Sequence, residues 1–299
     1  MAYQELSLLQ FKKKYSTERA CQKALEKARW PNGFVCPKCA HTKASRIATR
    51  SLLQCSRCHH QVSLTAGTIF HKTRTPLVKW FWTIYLASQD KGGVSAMRLA
   101  KQLELGYKTA WLMLHKIRSA MAQRDSRYTL SGFIEMDDAF FGGAHPGKRG
   151  RGAANKSTVL VMIESKEEHA GFISMQTLES MKRTEIEPVV KDQIEPGQTI
   201  RTDGFKSFHH LAELGHKHIG TPVPSKQAAE ELPWVHIAIS NAKRFLLGTY
   251  HGVSHKHLQR YLDEFCYRFN RRAWEKQLTS RLLTACLYAT PITLAELKA

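Results

Sequence analysis

The stretch Gly132-Phe-Ile-Glu-Met-Asp-Asp-Ala-Phe-Phe-Gly-Gly143 decides how the rest of the chain reads. A short apolar run leads into two adjacent carboxylates, Asp137 and Asp138, and a Gly-Gly break follows. That pattern predicts a β-strand that carries an acid to the end of a sheet, with the glycines turning the chain away. Side chains alternate along a strand, so the two acids point to opposite faces. Carboxylates at a strand end suit Mg²⁺ held against a phosphate, because hard cations take oxygen ligands. An acidic turn after an ordinary strand has the same local look, so the choice falls to the flanking sequence.

C-terminal to this stretch, Lys148-Arg-Gly-Arg151-Gly reads as a basic, flexible loop, with Lys148, Arg149 and Arg151 placed to meet DNA. Residues 158–163 and 171–178 are apolar runs that predict two further strands, joined by a charged turn. Residues 181–194 have helical spacing, and Thr199-Ile-Arg-Thr-Asp203-Gly reads as a fourth strand ending in a carboxylate at a glycine. Residues 205–214 read as helical, 217–223 as a short strand, and the chain from about 239 onward as mainly helical. Three strands, a helix, a strand and a helix match a ribonuclease H-like order. In that order the first and fourth strands are neighbours, which brings Asp137 and Asp203 together. Two such carboxylates suit a pair of divalent ions in an in-line phosphoryl displacement. A third ligand then comes from Trp234-Val-His-Ile-Ala-Ile-Ser-Asn-Ala-Lys-Arg244. Asn241 offers an oxygen and His236 a nitrogen, and oxygen is the better match to Mg²⁺.

N-terminal to the central stretch, seven cysteines fall into two groups. Cys36-Pro-Lys-Cys39 and Cys55-Ser-Arg-Cys58 are separated by fifteen residues, and Cys21, Cys266 and Cys286 stand apart. Two Cys-x2-Cys knuckles supply the four thiolates of a tetrahedral Zn²⁺ site, with residues 45–53 between them as a pair of short strands. Beyond the ribbon, Pro76 opens an apolar helix over 77–88 whose aromatic stripe reads as core. Ser95 caps a helix over 96–103, a break follows at 104–106, and a second helix runs from 107 to about 122. Helix, short glycine-containing turn and helix is the helix-turn-helix outline. Polar residues at the start of its second helix, Lys108 and Thr109, reach base edges, and Lys116 and Arg118 further along reach phosphates.

Charge supports that division. The net charge is +20, yet residues 1–130 hold 23 Lys and Arg against 6 Asp and Glu, whereas residues 131–299 hold 22 against 19. A cation concentrated at one end points to a polyanionic partner. No apolar run approaches the ~18 residues of a membrane span, and no secretory leader is visible, so a cytoplasmic, nucleoid-associated protein is expected. The fold class expected is mixed α/β in three parts. These are a zinc-ribbon segment over 1–65, a helix-turn-helix-like module over 66–130, and a ribonuclease H-like domain with C-terminal helices over 131–299.

These pieces together resemble the ISXO-type insertion-sequence transposases, which carry a zinc ribbon ahead of a DDE-type ribonuclease H-like domain. The matching residues are the four-cysteine pattern, Ile134 to Gly143, Lys148 to Gly152, Arg201-Thr-Asp-Gly-Phe205, and the long block from Gly248 to Arg272. The resemblance implies a transposase that binds terminal inverted repeats on double-stranded DNA, frees 3′-hydroxyls and joins them to a target. It implies Asp137 and Asp203 as the first two catalytic ligands of Mg²⁺ or Mn²⁺. Asn241 stands in the third position, with Lys243 beside it and Arg244 on the flanking phosphate. Asp138 stands where the family has Glu. The resemblance also implies a homodimer or higher oligomer holding two DNA ends. A DNA-binding protein with an inert transposase-derived domain is the alternative.

Overall fold

The computed structural model describes residues 5–47, 50, 52–142, 156–221 and 228–298. Its elements begin with α1 (Leu8–Lys14), α2 (Glu18–Arg29), β1 (Ala44–Ile47), β2 (Leu52–Cys55), β3 (Gln61–Ser63), α3 (Leu77–Gln89), α4 (Ala96–Leu103) and α5 (Tyr107–Asp125). They continue with β4 (Phe133–Phe141), β5 (Ser157–Lys166), β6 (His169–Leu178), α6 (Arg183–Gln193), β7 (Thr199–Thr202) and β8 (Lys217–Gly220). Last come α7 (Ala228–Glu231), α8 (Pro233–Tyr250), α9 (Leu258–Phe269), α10 (Leu278–Tyr288) and α11 (Leu294–Lys298). The chain divides into two compact units, Met1–Arg124 with Trp274–Ala299, and Asp125–Ala273.

In the first unit, local chemistry marks each boundary. Ser7 and Gln10 form a reciprocal capping box at α1, and Thr17 caps α2. The strands β1, β2 and β3 form an antiparallel sheet in that order, one strand more than the sequence pattern predicts. The aromatic stripe of α3 is core as expected, with Trp80, Phe81 and Tyr85 buried and the Phe11 and Tyr85 rings stacked at 4.3 Å. Ser95 accepts the Arg98 amide at the start of α4, and Glu104 ends that helix in the left-handed region at φ 50°. Leu99 and Ala100 of α4 pack with Ala110 and Leu114 of α5 and Ala87 of α3, giving a three-helix core beneath the helix-turn-helix.

The placement of the C-terminal helices corrects the expected boundary. Residues 274–299 join the first unit, where the Thr279 hydroxyl meets Ser88 Oγ at 2.6 Å and the Cys286 carbonyl accepts the Ile69 amide at 3.4 Å. Their apolar faces are complementary to α3, a match of surfaces that sequence order does not record.

The second unit is built on a five-stranded sheet in the order β6-β5-β4-β7-β8. The pairs β4–β5 and β5–β6 are antiparallel, and β4–β7 and β7–β8 are parallel. This is the mixed, ribonuclease H-like sheet that the element order predicts. Two apolar layers sandwich it. On one face Val159, Val161 and Ile163 meet α8 and α9 through Val235, Ala242, Leu262 and Phe265. On the other, Ile134, Met136 and Ile200 meet α6 and the 3₁₀ segment Lys206–Leu214 through Ile186, Val190 and Phe208. Among the described residues, no helix is long and apolar enough to cross a membrane.

Candidate active site and cysteine metal centre

The acid pair follows from strand register. Phe133, Ile134 and Glu135 of β4 stand opposite Thr199, Ile200 and Arg201 of β7. Asp137 lies two residues beyond Glu135 on β4, and Asp203 follows Thr202, the last residue of the neighbouring β7. Asp137 pairs with Val161, on the face that packs against α8, whereas Asp138 pairs with Leu160, on the opposite face. Asp137 is 9% exposed, and its Oδ1 accepts the Asp138 amide at 2.8 Å. Asp203 sits in a tight turn in which its Oδ1 accepts the Phe205 amide at 2.9 Å. Gly204 enables that turn with φ +76°. The buried Thr202 hydroxyl accepts the Gly204 amide at 3.2 Å and shares a hydrogen bond with His218 Nε2 at 2.9 Å, so the turn is held from two sides.

Helix α8 supplies the third side of the site, and a residue that sequence reasoning missed fixes its position. Glu135 lies two residues before Asp137 on the same face, is 2% exposed, and accepts the Val235 amide at 2.9 Å. A carboxylate at the amino end of a helix meets unpaired N–H groups and the positive end of the dipole. Burial pushes the Glu135 carboxyl above its ordinary pKa, while the hydrogen bond from Val235 pulls it back. The available signal was a Glu inside an apolar strand, which needs a buried partner. From β7, Arg201 Nη1 donates to the Glu231 carbonyl at 3.3 Å, just ahead of α8.

With α8 so placed, His236 Nε2 lies 3.8 Å from Asp137 Oδ2. That nitrogen is buried and has no hydrogen-bond partner. Burial lowers the His236 pKa below its ordinary value, with Asp203 acting in the opposite sense, so a neutral imidazole is favoured. Lys243, about two turns further, returns to the same face, with its ammonium 5.7 Å from the Phe141 ring. Partial burial and then Lys156 lower its pKa, while Asp137 raises it. Asn241 differs. Like Lys243 it is exposed, but it lies five residues past His236, turned by roughly 140° around the helix. The structure therefore brings His236 to Asp137, within the electrostatic reach of Asp203, with Lys243 on the same helix face and Asn241 turned away from that face. Arg244 is also exposed. The donor types, two carboxylates and an imidazole, are ones that divalent cations accept, but the ligand atoms of Asp137, Asp203 and His236 are not gathered within 4.8 Å of one another as the cysteine sulfurs are.

The cysteine centre is more compact. Cys36 and Cys58 have sulfurs 3.6 Å apart, as do Cys39 and Cys55. All four sulfurs lie within 4.8 Å of one another, and among the described residues no other group of three or more His, Cys, Asp or Glu side chains does so. A tetrahedron with Zn–S of about 2.3 Å has sulfurs ~3.8 Å apart, so the fit is close. The backbone amides of Cys58 and Arg57 pull the Cys55 thiol down to about 6, toward the thiolate that binds metal.

Two DNA-contact assignments from the sequence need correction. Arg118 is 2% exposed inside the first unit. Lys116 donates to the Ile69 carbonyl at 3.2 Å, and burial lowers its pKa. Both point inward because α5 is surrounded from Ala110 onward, which its even hydrophobic distribution did not reveal. Lys108 is exposed and Thr109 half-buried at the amino end of α5, where Tyr107 is 50% exposed. Lys148, Arg149 and Arg151 lie outside the described residues.

Comparison with known proteins finds family matches over two parts of the chain. Residues 129–270 match the family described as ISXO2-like transposase domain, and residues 16–61 match the transposase zinc-ribbon domain. The chain is 24% identical over 219 residues to an uncharacterised protein of the transposable element ISH50 from Halobacterium salinarum, covering 67% of this chain and 72% of that one. Among solved structures it is similar to the Mos1 strand transfer complex, at a TM-score of 0.30 and 12% identity over 72% of this chain and 78% of that one. It is also similar to the Mos1 transposase paired-end complex with the left transposon end, at 0.29 and 11% over 70% and 79%.

Proposed function

We propose, on the premise that this chain belongs to the ISXO2-like transposase family, that it is a metal-dependent DNA transposase acting on the ends of an insertion sequence. The observation that supports this reading is the parallel pairing of β4 with β7, the strands that lead to Asp137 and Asp203, together with His236 Nε2 3.8 Å from Asp137 Oδ2. Asp137, midway along β4, and Asp203, just past the end of β7, supply anionic oxygens, and His236 supplies a neutral nitrogen from α8. A bound Mg²⁺ or Mn²⁺ contributes activation of the attacking oxygen and neutralisation of charge at the leaving oxygen. Glu135 holds α8 so that His236 stays over the acids. Lys243 offers its ammonium to the phosphate being displaced, and Arg244 to a flanking one. Asn241, the third ligand implied by family resemblance, has no place in this set.

DNA binding belongs to the first unit in this reading. Lys108 and Thr109 open the recognition helix, and the ribbon adds further cations. Two ends require two active sites, so a homodimer or higher assembly on double-stranded DNA is expected, in the cytoplasm and associated with the nucleoid. The test is incubation of the full chain with a duplex carrying the element's terminal repeat and either Mg²⁺ or Mn²⁺. Nicks at the repeat boundary, absent in Asp137→Ala and Asp203→Ala, support the proposal. Tight end binding without nicks leaves a DNA-binding protein with an inert sheet, and joining absent despite nicking leaves a nuclease.

A further inference from the structure

The first unit carries a groove that this activity does not use. It lies between α2 and the zinc ribbon, has a volume of about 450 Å³, and is lined by Lys23, Glu26, Lys27, Trp30, Phe34 and Arg46, with Gly33 between the aromatics. The groove is pinned on both sides. Arg29 Nη1 donates to the Ser63 and Leu64 carbonyls, each at 3.0 Å, which ties the end of α2 to the exit of β3. Across the groove, Arg46 of β1 forms an ion pair with Glu26 of α2. Trp30 and Phe34 stand as adjoining walls, with ring centroids 5.1 Å apart and planes at 60°. Both rings are half-buried, so part of each remains open to the groove.

The charge on the rim points to an anion. Arg46 takes up the Glu26 carboxylate, which leaves Lys23 and Lys27 as the excess. These are exposed like charges at i and i+4 on α2, an arrangement that costs helix stability unless an anion bridges them. Lysines alone suit any phosphate, including those of a duplex. Aromatic walls do not, because paired bases keep their faces inside the stack. A base out of the stack presents a π-face to aromatic side chains while its phosphates stay on cations.

We propose that this groove binds an unpaired nucleotide of DNA, its base against Trp30 and Phe34 and its phosphates on Lys23 and Lys27. The proposal rests on the reading of the first unit as DNA-binding and adds a preference for single-stranded character next to the duplex. The experiment uses the zinc-loaded full chain and fluorescence anisotropy. Two probes share one terminal duplex, one blunt and one with a three-nucleotide single-stranded extension. The extended probe is expected to bind about five-fold more tightly. Trp30→Ala and the pair Lys23→Ala/Lys27→Ala are each expected to bring that ratio near one, and Trp30→Phe to keep most of it. The lysine pair sits on the exposed face of α2, so it reports even where Trp30→Ala unfolds the ribbon. Equal binding of the two probes by the unaltered chain, or a ratio that survives the lysine pair, overturns the groove assignment while leaving duplex binding intact. Failure to bind either probe overturns the parent reading instead.

Discussion

His236 and Asn241 are five residues apart on one helix, and that spacing separates their fates. One faces the acid pair and the other faces solvent. His236→Ala is therefore expected to lower end cleavage by about 100-fold or more, whereas Asn241→Ala stays within a few-fold. A panel assayed for both nicking and end binding checks this, and the reverse ranking returns the third ligand to Asn241. Gly171 gives a second residue-scale prediction. A Cβ there would fall 2.3 Å from Glu164 Oε2 and 2.6 Å from Glu164 Cβ. Glu164 cannot step aside cheaply, since it accepts the Ser131 and Phe172 amides at 3.1 and 3.0 Å. Gly171→Ala is expected to cost about 1–3 kcal/mol, read from denaturant titration of the full chain.

At the scale of elements, α9 does work that its sequence disguises. β6 is an edge strand, and an open edge invites pairing with other chains. Gln259 covers one part of it, accepting the Thr177 amide at 2.7 Å and donating to the Met175 carbonyl at 2.9 Å. Asn270 does the same further along, accepting the Ile173 amide at 2.8 Å and donating to its carbonyl at 3.1 Å. Two side-chain amides thus stand in for a sixth strand. Gln259→Ala and Asn270→Ala are each expected to cost about 1–3 kcal/mol by leaving backbone groups unpaired. Their effects should add, because they are well separated. The ribbon is the other element with a sharp expectation. Metal analysis should find one zinc per chain, and Cys39→Ser should release it and unfold the ribbon, since a structural site contributes folding free energy directly. Four freely reactive thiols in protein purified with its metal would contradict this.

At the largest scale, the buried His216 and the half-buried His218 give the second unit a pH dependence. Burial lowers the pKa of His216, and burial with the charges of His209 and His210 lowers that of His218, each from an ordinary value of 6.5. The fold therefore keeps both neutral. As pH falls through 6.5, the unfolded chain takes up protons that the folded chain does not, so stability is present above that value and lost below it. The second unit is expected to melt at a lower temperature at pH 5.5 than at pH 7.5. The double variant His216→Gln/His218→Gln should flatten that dependence. An unchanged slope in the variant would assign the effect to other groups.

Much of this architecture was legible in the chain alone. Cys-x2-Cys spacing is local and fixes its own geometry, so the ribbon and its four ligands were readable. The strands carrying Asp137 and Asp203 were readable from their apolar runs, but only β7 ends at its acid; β4 continues through Phe141, so Asp137 lies mid-strand and not at the expected strand end. Ser95 marked the start of α4 and Gly106 the break before α5. Tertiary structure alone decided the rest. Strand register put Asp137 rather than Asp138 toward α8, the Glu135 cap fixed the start of α8 with His236 turned toward Asp137, and burial turned Lys116 and Arg118 inward. The return of residues 274–299 to the first unit was equally invisible. The reason is the same in each case. Local signals specify backbone conformation within a few residues, whereas which face of an element turns inward depends on surfaces supplied by distant parts of the chain.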